Sequence, residues 1–145
     1  MNLDERTTTP YAALLLRVTL GVALLAHGLL LKIMTFGLAG TMGFFGSLGY
    51  PPVLGAVVAI AEALAGLALI LGLWVRPVSL LVVPIMIGAT LQHAGNGWLF
   101  NAPGGGWEFP AMWTLLMLVQ AGLGAGAHAL DVNRLLGRGT TTARA

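Results

Sequence analysis

Only 8% of the 145 residues are Asp, Glu, Lys or Arg, 57% are hydrophobic, and the mean hydropathy is +0.88. A soluble domain carries about 25% charged residues, so this composition excludes an ordinary soluble globular domain, a disordered chain and a nucleic-acid binder. The net charge of +2 reflects a few arginines rather than a basic patch, and the lack of cysteine excludes an in-chain disulfide relay, thiolate metal sites and Cys-ligated iron–sulfur clusters.

Charge-free windows run from Ile33 to Ala61, Pro77 to Trp107 and Phe109 to Leu130. Apolar windows of that length belong in a bilayer, where a crossing helix needs about 20 residues. The pattern predicts an all-α integral membrane four-helix bundle: a short N-terminal segment to residue 10, a four-span domain over 11–131 and a frayed tail over 132–145. Span one is expected from about Tyr11 to Met34, capped by Thr9 with Pro10 in its first turn. Its flank, Asp4-Glu5-Arg6, lacks the positive start of a signal peptide, so it reads as a retained span. From Thr35 to Tyr50, Gly37, Gly40, Gly43, Gly46 and Gly49 alternate with Met42, Phe44, Phe45 and Leu48, which reads as an interfacial segment lying on the membrane. Span two is expected from about Pro52 to Trp74. Its Gly55, Ala59, Glu62, Gly66 and Leu69 share one face, which suits close helix packing or a homo-oligomer contact. Span three is expected from Pro77 to Ala94, kinked at Pro84 and stopped by Gly95-Asn96-Gly97. A second loop from Gly95 to Phe109 leads to span four, expected from Pro110 to Leu130 with Gly122 and Gly126 as a G-x-x-x-G pair.

Counting Lys and Arg sets the orientation. Arg6, Arg17, Arg76, Arg134, Arg138 and Arg144 fall on one side and Lys32 on the other. This predicts both termini in the cytoplasm of a multi-pass membrane protein.

The polar residues inside the spans carry the chemistry. Glu62 lies twelve positions before Trp74, about 18 Å along a helix, near the middle of the hydrocarbon. An acidic group there costs about 2.5–3.5 kcal/mol on the insertion scale. It is therefore expected to face the bundle interior, as a proton acceptor or as a structural hydrogen-bonding group that fixes helix register. His27 and His93 each lie sixteen residues into their spans and so at one level, with Glu62 about one turn deeper. Asn96, three residues after His93, follows its face. Glu plus His in an apolar pocket suits proton exchange with a quinone, whose carbonyls need donors when reduced. The same trio could hold a metal ion, and two level histidines could ligate a b-type haem; each His bonding only a backbone carbonyl is the plain alternative. Trp98 and Trp107 are expected at the pocket mouth. Glu108 is expected to cap span four or to pair with Lys32 or a partner protein. Arg17 is expected to snorkel to the interface, and Lys32 to reach the headgroups or to stand at the pocket mouth. His128 reads as interfacial.

Several of these residues form blocks: Arg17 with His27-Gly28 and Lys32; Ser47-Leu48-Gly49 with Pro51-Pro52; Glu62 with Leu71-Gly72; Arg76; His93-Ala94-Gly95-Asn96-Gly97-Trp98; and Gly104-Gly105-Gly106-Trp107-Glu108-Phe109-Pro110. On these blocks the chain resembles the DoxX/DoxD-like family of small four-helix membrane proteins from about Arg17 to Asp131. The family's commoner pattern is His-Gly-x-x-Lys. Here Lys32 follows His27 by five, which on an α-helix rotates it by about 100°. The resemblance implies a membrane component of an oxidoreductase system, such as a thiosulfate:quinone oxidoreductase or a redox-stress complex. A quinone is then the expected cofactor, with a redox protein as partner. The non-enzymatic alternative is a membrane scaffold or assembly factor.

Overall fold

The computed structural model describes residues 4–130, so the expected tail with Arg134, Arg138 and Arg144 lies outside the described residues. All regular structure among them is helical. Helix α1 (Glu5–Leu25) continues without a break into π-helical turns over Ala26–Thr35. A short helix α2 (Gly37–Ser47), then α3 (Pro52–Leu71), α4 (Val75–His93) with a 3-10 turn at Ala94–Asn96, and α5 (Glu108–Leu123) complete the order. Three segments are long and apolar enough to cross a membrane: Glu5–Thr35, Pro52–Leu71 and Val75–Asn96.

Several expected boundaries move for identifiable reasons. The first helix begins five residues before Pro10 because Asp4, not Thr9, is its cap: Asp4 Oδ1 accepts the Arg6 N–H at 3.2 Å. The expected interfacial segment folds as α2, with Thr41 its buried residue. Helix α4 runs through Pro84 as one helix. The fourth span is shorter than expected, since α5 ends at Leu123. Gly124 and Gly126 take left-handed φ values of 82° and 68°, which end the helix, and Gln120 Nε2 donates to the Gly124 carbonyl at 2.7 Å. The Gly122/Gly126 pair is therefore not a helical packing motif.

The small-residue face of α3 appears as expected. Gly55, Ala59, Glu62, Gly66 and Leu69 are its buried residues. The first helix packs directly on it. A methyl group on Gly66 would stand 2.7 Å from the Gly21 carbonyl oxygen, and one on Gly28 would stand 2.5 Å from the Ala63 nitrogen. Side chains cannot fit at either crossing, so backbones meet there. Much of this face is thus spent inside the monomer.

Arg17 does not snorkel. It is fully buried, and its guanidinium donates from Nη1 to the Leu69 and Ile70 carbonyls at 2.9 Å each and from Nη2 to the Ala127 carbonyl at 3.1 Å. The reason lies in the end of α3. An α-helix leaves its last four carbonyls without partners, and in an apolar medium each must find one. Leu73 N–H takes Ala68, Gly72 N–H and Arg17 take Leu69, Arg17 takes Ile70, and Leu130 N–H takes Leu71. Gly72, at φ 79°, makes the reversal that permits this. The 124–130 segment is tied to the start of α1 as well, through Ala127 N–H to the Pro10 carbonyl at 2.9 Å. The start of α1, the α3–α4 turn and the 124–130 segment therefore gather at one end, and α2 and the 97–107 loop at the other.

Replacing Arg17 with Met removes three charge-assisted bonds, and the expected cost is about 3 kcal/mol or more. Thermal unfolding in mild detergent should show a clearly lower midpoint for Arg17→Met, with Arg17→Lys between it and the parent protein.

Candidate functional site

At the end that carries α2, a cavity of about 410 Å³ opens between α2 and α4, with α3 as its floor. Its walls are apolar: Phe44, Phe45 and Leu48 from α2, Leu54 and Val58 from α3, Ile85 and Ala89 from α4. Tyr50 closes the α2 side, its ring tilted 53° to that of Phe45 with centroids 6.3 Å apart. Pro84, Gly88 and Gln92 line the α4 side and are exposed, so the cavity reaches the outer surface of a membrane-length helix.

The polar groups of this cavity are Glu62, Lys32, His93 and Gln92. Glu62 is buried, 3% exposed, and Lys32 Nζ donates to its Oε2 at 2.5 Å. Lys32 therefore neither extends to the headgroups nor pairs with Glu108. A carboxylate in an apolar interior is held by a cation with good hydrogen-bond geometry or not at all. Two of the three Lys32 ammonium hydrogens and Glu62 Oε1 have no protein partner among the described residues, which leaves both donor and acceptor capacity facing the cavity.

The chain delivers Lys32 to this position through the π-helical turns. They close i→i+5 bonds, as in Phe36 N–H to the Leu31 carbonyl at 2.9 Å. The five-residue step from His27 to Lys32 therefore spans little more than one wide turn, where on an α-helix it would pass a full turn by about 140°. The extra residue is absorbed within the helix, and the rotation expected on an α-helix does not occur. Thr41 fixes the segment from the other side, its Oγ1 donating to the Lys32 carbonyl at 2.8 Å.

The three residues expected to converge do so in part. Glu62 and His93 share the cavity. His27 is not among its lining residues: its Nδ1 donates to the Ala23 carbonyl at 3.0 Å, and its ring stands edge-on to Trp113 at 5.0 Å. The His93 Nδ1 lies 3.1 and 3.0 Å from the carbonyls of Gly104 and Gly105, which makes Nδ1 the donor and leaves Nε2 as an acceptor. Among the described residues no group of three His, Asp or Glu stands together as metal ligands.

The remaining candidates organise the 97–107 loop. Asn96 Nδ2 donates to the Gly104 carbonyl at 2.9 Å, next to His93. Trp98 and Trp107 meet edge to face at 5.0 Å, outside the cavity lining. Glu108 begins α5 and accepts the Phe100 N–H on Oε1 at 2.9 Å. Sequence reasoning put Lys32 at the headgroups first and at the pocket mouth second, did not pair it with Glu62, and passed over Tyr50. The signal for Lys32 was available: Glu62 needed a cation, and Lys32 is the one basic residue between Arg17 and Arg76.

The family model for DoxX matches residues 12–95. The chain belongs to the DoxX family. This match contains α1 from residue 12 onward, the π-helical turns, α2, α3 and α4, and with them every residue named in the cavity. Among curated proteins, the chain is 40% identical over 78 residues to "Putative oxidoreductase CatD" of Bacillus subtilis, covering 54% of this chain and 56% of that protein. It is 34% identical over 124 residues to an uncharacterized protein of Haemophilus influenzae, covering 84% of this chain and 90% of that one. The chain thus spans little more than half the length of the first of these relatives and most of the second. No solved structure matches the chain.

Breaking the ion pair of this DoxX protein from one side leaves a buried charge. Lys32→Met and Glu62→Gln are each expected to cost about 3–5 kcal/mol, whereas the double variant recovers most of the loss. Denaturation of all four proteins in the same detergent gives the coupling directly.

Proposed function

We propose that the protein is the membrane subunit of a quinone-linked oxidoreductase system and that the α2–α4 cavity is where it meets the quinone. The observation that carries this is the Lys32–Glu62 pair on the floor of an apolar cavity that opens toward lipid. Membership of the DoxX family supports a membrane role, and the name of the Bacillus relative supports an oxidoreductase one. The apolar walls suit a ring and the start of an isoprenoid tail, and the opening beside Gly88 suits entry from the bilayer.

When bound, a quinone supplies two carbonyls whose reduction takes up two electrons and two protons. Lys32 would donate a hydrogen bond to the carbonyl nearer the floor. Glu62 would hold or release a proton at Oε1, the oxygen not engaged by Lys32. His93, its Nδ1 already occupied, would act through Nε2. The side chains of Phe44, Phe45 and Tyr50 would exclude water and position a planar ring. Electrons would come from a partner redox protein or a small sulfur species. The count of free basic residues, now Arg6 and Arg76 among those described, favours placing the α3–α4 turn on the cytoplasmic side of the bacterial inner membrane.

Partner docking is a second reading, favoured by one observation. Trp98, Leu99 and Phe100 stand 57%, 55% and 67% exposed at the tip of the 97–107 loop, while hydrogen bonds from Asn96 and to Glu108 brace it.

Short-chain quinone binding, read by equilibrium dialysis against detergent-solubilised protein, separates the two. Glu62→Gln is expected to weaken it at least about tenfold, or 1.4 kcal/mol, and Trp98→Ala to leave it unchanged. Unaltered binding by a folded Glu62→Gln protein overturns the quinone assignment.

A further inference from the structure

The charged floor of the cavity occupies one half of the bundle. On α3 the lining residues are Leu54, Val58 and Glu62, all from its first part, and on α4 they fall between Pro84 and His93, its second part. These helices are joined through residues 72–74 and run antiparallel, so both stretches belong to the end of α2 and the 97–107 loop. The other half is closed by hydrocarbon. Leu20, Leu24, Leu69, Val82, Met86 and Met117 are each 3% exposed or less and pack as one cluster with Val75 and with Trp113, whose single buried N–H has no partner among the described residues. The other buried polar groups of that half lie beyond this plug. Arg17 is bonded to the end of α3, Ser79 sits near the start of α4, and Gln120 sits in the last turn of α5.

The ionisable groups around Glu62 show the same asymmetry. Lys32 reaches it from the π-helical turns, and His93 faces the shared cavity from α4. Helix α2 brings no ionisable side chain, and Tyr50 follows it in the wall. His27 is turned to Trp113, and α5 contributes no lining residue.

We infer that Glu62 exchanges protons with one aqueous face only, the face bordered by α2 and the 97–107 loop. A proton leaving the Glu62 carboxyl passes to cavity water beside Lys32 and His93 and out past the loop. A proton taken up follows the same route inward. The plug blocks exchange with the Arg17 end, because a bare proton or hydroxide has no hydrogen-bonded path through packed Leu, Val and Met. The inference rests on the proposed working cavity, and it means that chemistry there draws its protons from a single side of the membrane.

The test uses the full chain in lipid vesicles, with an epitope tag after Ala145 to score which end faces outward. The probe is a hydrophobic carbodiimide, which reaches carboxyl groups from the bilayer and reacts with the protonated form. The adduct on Glu62 is read by mass spectrometry, with Glu62→Gln as the blank. Inside and outside pH are set independently. The expected result is a labelling rate that falls about tenfold per unit rise in pH on the loop side once the carboxylate is mostly ionised, and that ignores the pH at the Arg17 end. Labelling that follows the Arg17 end, or both ends equally, overturns the inference, as does a Glu62 that stays unlabelled at every pH. No quinone is present in this assay. Failure to bind quinone and failure of one-sided exchange are therefore separate results.

Discussion

A carboxylate in the middle of a hydrocarbon layer needs a counter-charge, and the bond from Lys32 to Glu62 is the contact around which one end of this DoxX protein is arranged. For the lysine to arrive, the first long helix must widen over Ala26–Thr35. For the widened helix to approach α3, the position facing Ala59 and Ala63 must lack a side chain, and Gly28 supplies this. For α2 to close the cavity, Thr41 must tie it to the lysine's own carbonyl, and Gly55 must let its backbone come near. The cavity is what remains when these conditions are met and no bulky residue of α4 fills the gap at Gly88 and Ala89.

The opposite end meets a different demand. There the backbone of α3 ends inside the bundle, and its free carbonyls face a buried cation. Arg17 answers with two donors on one nitrogen and a third bond to the returning chain, a use of the guanidinium fork for carbonyls in place of carboxylates. The result is a molecule with a closed, cross-tied end and an open, charged end, separated by a layer of packed hydrocarbon. A ligand cavity and a rigid base thus occupy the two halves of a single core.

How much of this was legible follows from which rules are local. Helix existence, the buried face of α3 and the burial of Glu62 follow from composition and a 3.6-residue period, and they stand. The stop at Gly72 was missed: the expected span runs on to Trp74, whereas α3 ends at Leu71. What failed was anything that required knowing a partner across space. Arg17 reads as a snorkelling anchor until the α3 carbonyls are placed beside it, and Lys32 reads as a headgroup contact until α3 is laid against the π-helical turns. His27 and His93 were matched by residue count along their spans, but a count says nothing about facing. One turns toward α5 and the other toward the cavity. Glu108, Asn96 and the two tryptophans are polar or aromatic at a helix boundary, and the sequence does not reveal that they mainly hold their own loop together.

The widened turns also change what spacing means along this helix. In an ordinary α-helix an added residue swings everything after it about 100° around the axis, and in a membrane bundle such a change would carry charged and small residues onto the wrong neighbours. A π turn takes up the addition where it occurs and leaves the residues beyond it in register. Insertions and deletions within this stretch are then survivable events for the lineage. A fixed-distance pattern read on α-helical geometry therefore misplaces the lysine on this helix.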